Sequence, residues 1–257
     1  MKFLVCLKQV PDSTVRVKVG ADARSIATEG VTWSISPYDE YAIELALERK
    51  DADASTVVSV VTVGTARARD ALRQALAMGC DDATLVSAPE DLAALDVAKA
   101  LAAVVNELKP DIVLCGKQAS DDDQGLVGPA LAEVLGWPHV GMLTKAVPGG
   151  DGVELWREVE GGHEVWKATP PVVGLVHKSD KEPRYPSLPG IMKAKKKEIP
   201  EKDLAGLGVT ASGPKIDVVA MEPPPQRGGG KMFKLDGDAK GVADQVARAL
   251  HEEAKVL

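Results

Sequence analysis

A dense group of polar and small residues follows the apolar run DIVLC at 111–115. In order, its members are Gly116, Lys117, Gln118, Ala119, Ser120, Asp121, Asp122, Asp123, Gln124 and Gly125, and a helical pattern comes next. Backbone N–H groups ahead of a helix suit a phosphate. The Ser, Gln and Asp side chains suit the hydroxyl and amino groups of a nucleoside. A solvated loop whose carboxylates favour the helix start explains these residues equally well, because three Asp side chains also repel phosphate.

A second segment, EPRYPSLPGIMKAKKKEI at 182–199, combines prolines, basic residues and an isolated leucine, Leu188. A leucine held between prolines and surrounded by positive charge could anchor the chain in the apolar pocket of a partner. The alternative is an internal leucine that caps a short helix. The residues alone favour this second interpretation, because a single leucine in a polar loop is ordinary.

The remaining chemistry-bearing residues form no known catalytic or metal-binding pattern. The sequence contains no G-x-G-x-x-G, no G-x-x-x-x-G-K-[ST] and no G-x-S-x-G. The three cysteines, Cys6, Cys80 and Cys115, are widely spaced and are predicted to be buried and structural. The four histidines are scattered, so we predict no catalytic residue and no metal site. A nucleotide-dependent ligase of α/β fold stays as an alternative, although no triphosphate cradle is visible.

Charge and hydropathy exclude further classes. Lys and Arg number 31 against 38 Asp and Glu, and only 4% of residues are aromatic, which disfavours nucleic-acid binding. No apolar run approaches the roughly 18–20 residues of a membrane span, so no membrane insertion is expected. Unpaired thiols and an N-terminus without a targeting pattern predict a cytoplasmic protein, or a mitochondrial matrix protein in a eukaryote.

Strand-like and helix-like runs alternate over the first 137 residues. Strands are predicted at 2–7, 56–63, 83–87 and 111–115, and helices at 36–49, 66–78, 92–108 and 126–136. The first helix is expected to begin with a Ser36 cap, with Pro37 at its first position. This alternation predicts an α/β fold with a doubly wound, mostly parallel, Rossmann-like sheet, an architecture in which ligands bind beyond the carboxyl ends of the strands.

The second half of the chain has a different pattern. Residues 153–159 and 164–168 read as a hairpin joined by 160–163, and 171–177 as one more apolar strand. The proline- and glycine-rich residues 222–230 read as a linker, and a helix is expected at 240–255. We therefore predict a nucleotide-binding domain at 1–221 and, at 222–257, an extended arm with a helix that packs on another protein.

The ordered set of motifs resembles the β subunit of electron transfer flavoprotein along essentially the whole chain. The motifs are VCLKQVPD, SPYDEYAIE, ALAMG, GKQASDDD, WREVEGG, PRYPSLPGIMKAKKKEI and PPPQR. The resemblance implies an electron carrier without its own substrate turnover, which binds AMP structurally and pairs with an α subunit that holds FAD. It also implies electron transfer from acyl-CoA and other flavin dehydrogenases, as in fatty acid β-oxidation, to a quinone oxidoreductase of the membrane.

Matching positions carry the family's site residues onto this sequence. The implied AMP pocket consists of Cys6, Ser36, Pro37, Tyr38, Asp39, Val63 and the whole of 116–127, which adds Leu126 and Val127 to the loop above. Tyr38 matches an aromatic near the flavin of the α subunit, and Glu158 matches a carboxylate that contacts the flavin domain. The implied docking residues are Tyr185, Leu188, Pro189, Ile191 and Met192. Basic residues nearby are expected to steer the partner electrostatically; these are Arg184, Lys193, Lys195, Lys196 and Lys197.

Two features depart from the family's usual pattern. Gln124 to Val127 and Ser36 replace residues that are commonly Asn or Thr in the pocket. The V-G-P sequence at 127–129 resembles an electron-bifurcating branch whose β subunit binds a second FAD. Asp122 and the run MKAKKKEI resemble the AMP-binding branch instead, so AMP is the expected nucleotide.

Overall fold

The computed structural model describes residues 1–150, 152–179, 181–213, 215–225 and 229–256. The chain divides into two compact units, Met1–Met221 and Glu222–Leu257. Three residues of the predicted linker, 226–228, lie outside the described residues. The prediction that the second unit packs on another protein stays a prediction.

The first unit is built on a nine-stranded sheet within the described residues. Its strands, in chain order with a separate pair β2 and β3, are β1 Lys2–Cys6, β2 Gln9–Pro11, β3 Trp33–Ile35, β4 Val57–Gly64, β5 Asp82–Ser87, β6 Ile112–Gly116, β7 His139–Gly149, β8 Gly152–Val159, β9 Gly162–Ala168, β10 Val172–Val176 and β11 Glu201–Asp203. The order across the sheet is β11-β5-β4-β1-β6-β10-β7-β8-β9. Pairing is parallel from β11 to β7 and antiparallel for β7-β8 and β8-β9.

Helices cover both faces of this sheet. They are α1 Pro37–Ala52, α2 Arg69–Met78, α3 Ala94–Leu108, α4 Val127–Leu135 and α5 Leu188–Lys196. Successive residues of β1 point to opposite faces: Phe3 packs into the core that contains α1 and α2, and Leu4 into the core that contains α3 and α4. The predicted doubly wound, mostly parallel α/β fold is therefore confirmed.

The start of α1 corrects one local prediction. Ser36 occupies the cap position, but its hydroxyl makes no hydrogen bond to the helix and has no partner among the described residues. Its backbone carbonyl accepts instead from the N–H groups of Asp39 and Glu40, at 2.9 and 3.1 Å. The helix therefore begins without the predicted side-chain cap, and it runs three residues further than predicted.

Four elements escaped the sequence analysis: β7, the β2-β3 pair, β11 and α5. The periodicity of β7 is interrupted by Gly141 and by Met142, whose φ is +55°. The sequence analysis placed Leu188 in a polar, proline-bounded loop and offered a short helix without bounds as the alternative, and in the structure α5 begins at Leu188. Proline is tolerated in the first turn of a helix, and the Ser187 hydroxyl accepts a hydrogen bond from the Gly190 N–H at 3.1 Å.

The predicted hairpin is present with a shorter connection. β8 ends at Val159 and β9 begins at Gly162, so Gly162 and His163 belong to the strand rather than to the turn. Gly161 has a φ of +82°, the left-handed conformation that glycine adopts without strain.

Among its described residues, the second unit contains one α-helix, α6 Ala239–Arg248, which continues into a π-helical turn at Ala249–Glu253. These two elements cover most of the helix predicted at 240–255. The Asp238 side chain caps α6 by accepting from the Gly241 N–H at 3.0 Å. Across the described part of both units, we find no helix with the length and apolar character needed to cross a bilayer.

Candidate functional site

A cavity of about 600 Å³ lies where the carboxyl ends of β1, β4 and β6 meet. This volume is in the range of small-molecule sites. Thirteen of the predicted pocket residues line it: Cys6, Asp39, Val63, Gly116, Lys117, Gln118, Ala119, Asp121, Asp122, Gln124, Gly125, Leu126 and Val127. The strand-end loop and the neighbouring strand ends therefore come together as the parallel topology requires.

The Asp39 carboxylate joins two of these strand ends. Its Oδ2 accepts from the Lys8 N–H at 2.7 Å, and its Oδ1 accepts from the Gly116 N–H at 2.8 Å. Burial raises the pKa of Asp39 to about 7, although the two N–H donors act in the opposite direction. The resemblance assigned Asp39 to the pocket, and in the structure its side chain connects the segment that follows β1 with the end of β6.

Gly116 is required by this arrangement. A Cβ at position 116 would overlap Asp39 Oδ1 and would lie 2.8 Å from the Tyr38 Cβ. Any larger residue would therefore displace the carboxylate that bridges the two strand ends.

The three acidic side chains of the loop bond within the protein. Lys8 Nζ lies 2.8 Å from Asp121 and 3.0 Å from Asp122, and Gln118 donates to Asp123 at 2.6 Å. Burial disfavours the charge on Lys8, but the two carboxylates outweigh it and raise the Lys8 pKa. The acidic run therefore shapes the loop, and Lys8 offsets much of the repulsion that it would exert on a phosphate.

Backbone donors are present at the start of α4. The helix begins directly after the loop, at Val127. Because Pro129 has no N–H, the N–H groups of Val127 and Gly128 are those of the first turn that have no partner within the helix. Gly125 precedes it with a φ of +60°. Packing requires a glycine at position 128, because a Cβ there would overlap the Leu175 side chain.

Two thiols lie side by side in the cavity wall. Cys6 and Cys115 are register partners in β1 and β6, and both are buried. The side-chain hydrogen bond with Cys115, together with burial, raises the pKa of the Cys6 thiol well above its ordinary value. A thiol of this kind is a poor nucleophile at neutral pH. The described residues also contain no group of three His, Cys, Asp or Glu side chains arranged to hold a metal ion.

The opposite rim of the cavity was missed by sequence reasoning. The Arg67 guanidinium lies 3.4 Å from the centre of the Trp33 ring. Its Nε donates to Gln9 Oε1 at 3.1 Å, and a terminal nitrogen pairs with Glu90 at 2.7 Å. Trp33 belongs to β3, which was not predicted, so no sequence signal linked it to the strand ends. Lys8 was within reach of prediction, because it directly follows the first strand.

An exposed apolar surface surrounds the start of α5. Tyr185 is 93% exposed, Leu188 80% and Met192 59%, while Ile191 is half-buried. The interpretation of Leu188 as an internal leucine is therefore wrong. A groove beside this surface, between α2 and α5, is lined by Asp70, Arg73, Gln74, Ala77, Pro186, Ile191, Ala194 and Lys195.

The basic residues around this surface fall into two groups. Lys193, Lys195 and Lys196 are exposed, and none of the ion pairs found among the described residues involves them. Arg184 instead pairs with Glu44 and Asp51, and Lys197 Nζ donates to the backbone carbonyls of Cys80 and Asp81. Two of the five residues expected to steer a partner are thus held within the chain, and the steering role of all five stays a prediction.

Comparison with known proteins identifies the family. The family model "Electron transfer flavoprotein domain" matches residues 24–207. The electron transfer flavoprotein β subunit of Bradyrhizobium diazoefficiens is 39% identical over 257 residues, and covers the whole of both chains. The electron transfer flavoprotein β subunit of Bacillus subtilis is 37% identical over all of both chains. That of Homo sapiens is 36% identical over 96% of this chain and 98% of its own. This chain belongs to the electron transfer flavoprotein β-subunit family.

The resemblance read from the motifs is thereby confirmed. Membership makes the chain a subunit of an electron-carrying flavoprotein, and a β subunit implies an α partner. The alternative of a ligase-like enzyme loses its support, since the relatives are named as electron carriers.

Five residues predicted for the electron transfer flavoprotein pocket do not line the cavity: Ser36, Pro37, Tyr38, Ser120 and Asp123. Tyr38 forms part of a neighbouring cluster. Its ring lies 5.0 Å from Lys117 Nζ and 5.6 Å from the ring of His177. His177 Nε2 is in turn 3.8 Å from Glu158 Oε2. Tyr38 was predicted to lie near the flavin and Glu158 to contact the flavin domain, and the structure links the two through His177.

Proposed function

We propose that this chain is the β subunit of a heterodimeric electron transfer flavoprotein. Its α partner holds the FAD that accepts electrons from acyl-CoA and related flavin dehydrogenases, and the heterodimer passes them to a membrane quinone oxidoreductase. Family membership supports the electron-carrying role and the α partner. The observation that carries the proposal furthest is the cavity at the ends of β1, β4 and β6.

We propose AMP as the occupant of this cavity. The N–H groups of Val127 and Gly128 at the start of α4 suit its phosphate, with Lys8 offsetting the acidic loop. The apolar wall that Cys6 and Val63 provide suits a base, and Gln118 and Gln124 offer amide groups to its polar edges. AMP supplies no redox chemistry, so its role here is to stabilise the strand ends by binding the folded chain.

A second FAD is the alternative occupant that the V-G-P sequence suggested. Close packing against Leu175 requires a glycine at position 128, so the glycine of the V-G-P sequence is explained without a bound FAD. The Asp122 side chain, which distinguishes the AMP-binding branch in sequence, is used by Lys8 to hold the loop. Both observations favour AMP.

We propose that Tyr185, Leu188, Pro189, Ile191 and Met192 form the surface that docks the dehydrogenases. The exposure of its large side chains supports this role, because an apolar patch rimmed by charge is typical of an interaction site. The positive charges of Lys193, Lys195 and Lys196 call for a partner whose apolar pocket has an acidic rim.

Electron transfer itself can be tested with the co-expressed heterodimer. An acyl-CoA dehydrogenase with its substrate should reduce the flavin, and a quinone oxidoreductase should reoxidise it. A heterodimer whose flavin is reduced by none of a panel of flavin dehydrogenases would contradict the proposed function.

The docking surface is tested by Leu188→Ala. Burying a leucine in a partner pocket contributes about 1.5–3 kcal/mol, so the apparent KM for the dehydrogenase should rise about tenfold or more. Flavin content and melting temperature should not change, since the side chain is exposed. Val165→Ala on β9 removes a half-exposed apolar side chain elsewhere and serves as the control. A lower melting temperature with an unchanged KM would contradict the docking role.

A further inference from the structure

One face of α1 carries three acidic residues at helical spacing. Glu44, Glu48 and Asp51 lie at positions i, i+4 and i+7, which places them along the same side of the helix. All three bond to the segment that leads into α5. Lys181 Nζ lies 2.8 Å from Glu48, and Arg184 reaches both Glu44 and Asp51.

Arg184 makes the most extensive of these contacts. Its Nε and one terminal nitrogen each donate to Glu44 at 2.8 Å, and that terminal nitrogen also lies 2.7 Å from Asp51. Its own backbone N–H donates to Glu44 at 3.0 Å. Glu44 is only 4% exposed. Burial by itself would raise the Glu44 pKa, but the bonds from Arg184 hold it below its ordinary value.

The contacts of Arg184 matter because the side chains of Tyr185 and Leu188, which follow it closely in the chain, are exposed. Tyr185 follows directly and is 93% exposed, and Leu188, three positions further, is 80% exposed. Their side chains project from the protein, so their positions depend on how the backbone is held. Ser187 fixes the start of α5, and α2 holds its body through a close approach of Gly190 to the Ala77 carbonyl.

We propose that Arg184 is a positioning residue for dehydrogenase docking, which locks residues 181–187 onto the acidic face of α1 so that Tyr185 and Leu188 are presented in one geometry. This inference rests on the docking function proposed above. A surface that is ordered before binding loses less entropy when the partner arrives. The fork of the guanidinium is essential, because an ammonium group cannot form the same bidentate contact with a carboxylate.

The decisive variant is Arg184→Lys, which keeps the charge and removes the fork. A steering charge would survive this change, whereas a positioning fork would not. We expect the apparent KM of the heterodimer for an acyl-CoA dehydrogenase to rise about tenfold. The kcat should stay unchanged, because the flavin and its surroundings are untouched. The increase should persist at high salt, since it comes from lost order and not from lost long-range attraction.

Three further variants complete the experiment. Glu44→Gln alters the buried partner of Arg184 without changing the docking surface, and it should raise KM in the same way. Lys195→Gln removes an exposed charge that forms no ion pair among the described residues, and its smaller effect should vanish at high salt. Leu188→Ala reports whether the surface docks the dehydrogenase at all. Melting temperatures show whether each variant is folded.

The outcomes separate the two proposals. If Leu188→Ala leaves KM unchanged, the docking function fails and the role of Arg184 fails with it. If Leu188→Ala raises KM but folded Arg184→Lys does not, docking stands and the positioning role is overturned. If the Arg184→Lys effect disappears at high salt, Arg184 steers the partner instead, which also overturns the inference.

Discussion

A single carboxylate organises the strand-end cavity at the scale of residues. Asp39 accepts from the backbone of Lys8 on one side and of Gly116 on the other. Buried carboxylates are expensive to ionise, and this one has its pKa raised to about 7. Protonation of Asp39 should therefore couple to the stability of the fold within the physiological pH range.

The direction of this coupling follows from the raised pKa. Between its ordinary value of 3.8 and about 7, Asp39 remains protonated in the folded chain and is ionised in the unfolded chain. The folded state then binds more protons, so the free energy of unfolding should fall as the pH rises through this window. The total change is of the order of 4 kcal/mol, at about 1.4 kcal/mol per pKa unit.

Asp39→Asn should abolish this slope. The amide cannot ionise, and it offers one acceptor oxygen to two N–H groups, which costs about 1–3 kcal/mol at every pH. Urea unfolding of the unaltered chain and of Asp39→Asn, monitored by tryptophan fluorescence at several pH values between 3.8 and about 7, measures how the free energy of unfolding depends on pH. Parallel curves for the two proteins would mean that Asp39 does not titrate as described.

Residue types were easier to predict than their roles. The composition of the strand-end loop indicated a phosphate site, but its three aspartates left that interpretation open. Lys8 bonds to two of these aspartates and offsets their repulsion of a phosphate, but it lies more than 110 positions away in the chain. Arg184 was expected to be a free charge, because its partners Glu44 and Asp51 belong to a helix whose outward face had no visible function in the sequence.

At the scale of elements, α1 connects the two candidate sites. Its first turn supplies Asp39 to the cavity, and its acidic face holds the segment that leads to the docking surface. The sequence predicted this helix and the parallel strands well, because continuous apolar runs and helical periodicity are strong signals. It failed for β7 and α5, where glycine and proline serve packing and capping rather than a loop.

The second unit yields an element-scale prediction. No residue of α6 is buried, although Val242 and Val246 lie one turn apart on the same face. We expect truncation after Met221 to weaken binding of the α subunit while the sheet unit keeps its melting temperature. In the full chain, Val246→Asp should weaken binding in the same way, and Gln245→Asp, at an exposed neighbouring position, should not. An unchanged affinity of the truncated chain for α would contradict the predicted arm.

At the scale of the whole molecule, the first unit combines a cavity at the strand ends, the proposed AMP site, with an exposed apolar surface at the start of α5, the proposed docking surface. Neither feature contains a catalytic group in the proposed scheme. The proposed cavity occupant stabilises the scaffold, and the proposed docking surface brings the flavin of the partner subunit to its electron donors. Such a division fits a subunit that supports electron transfer without carrying the redox centre.

The nucleotide content of the heterodimer tests this scheme most directly. The chain is co-expressed with its α subunit, the complex is denatured, and the released nucleotides are separated and quantified. Val63→Trp, which should fill the cavity wall, is compared with Val134→Trp at an exposed position of α4 outside the cavity. We expect one AMP and one FAD per heterodimer from the unaltered protein and from Val134→Trp, and one FAD with little AMP from Val63→Trp. Two FAD per heterodimer, no AMP, or full AMP in Val63→Trp would contradict AMP binding in this cavity.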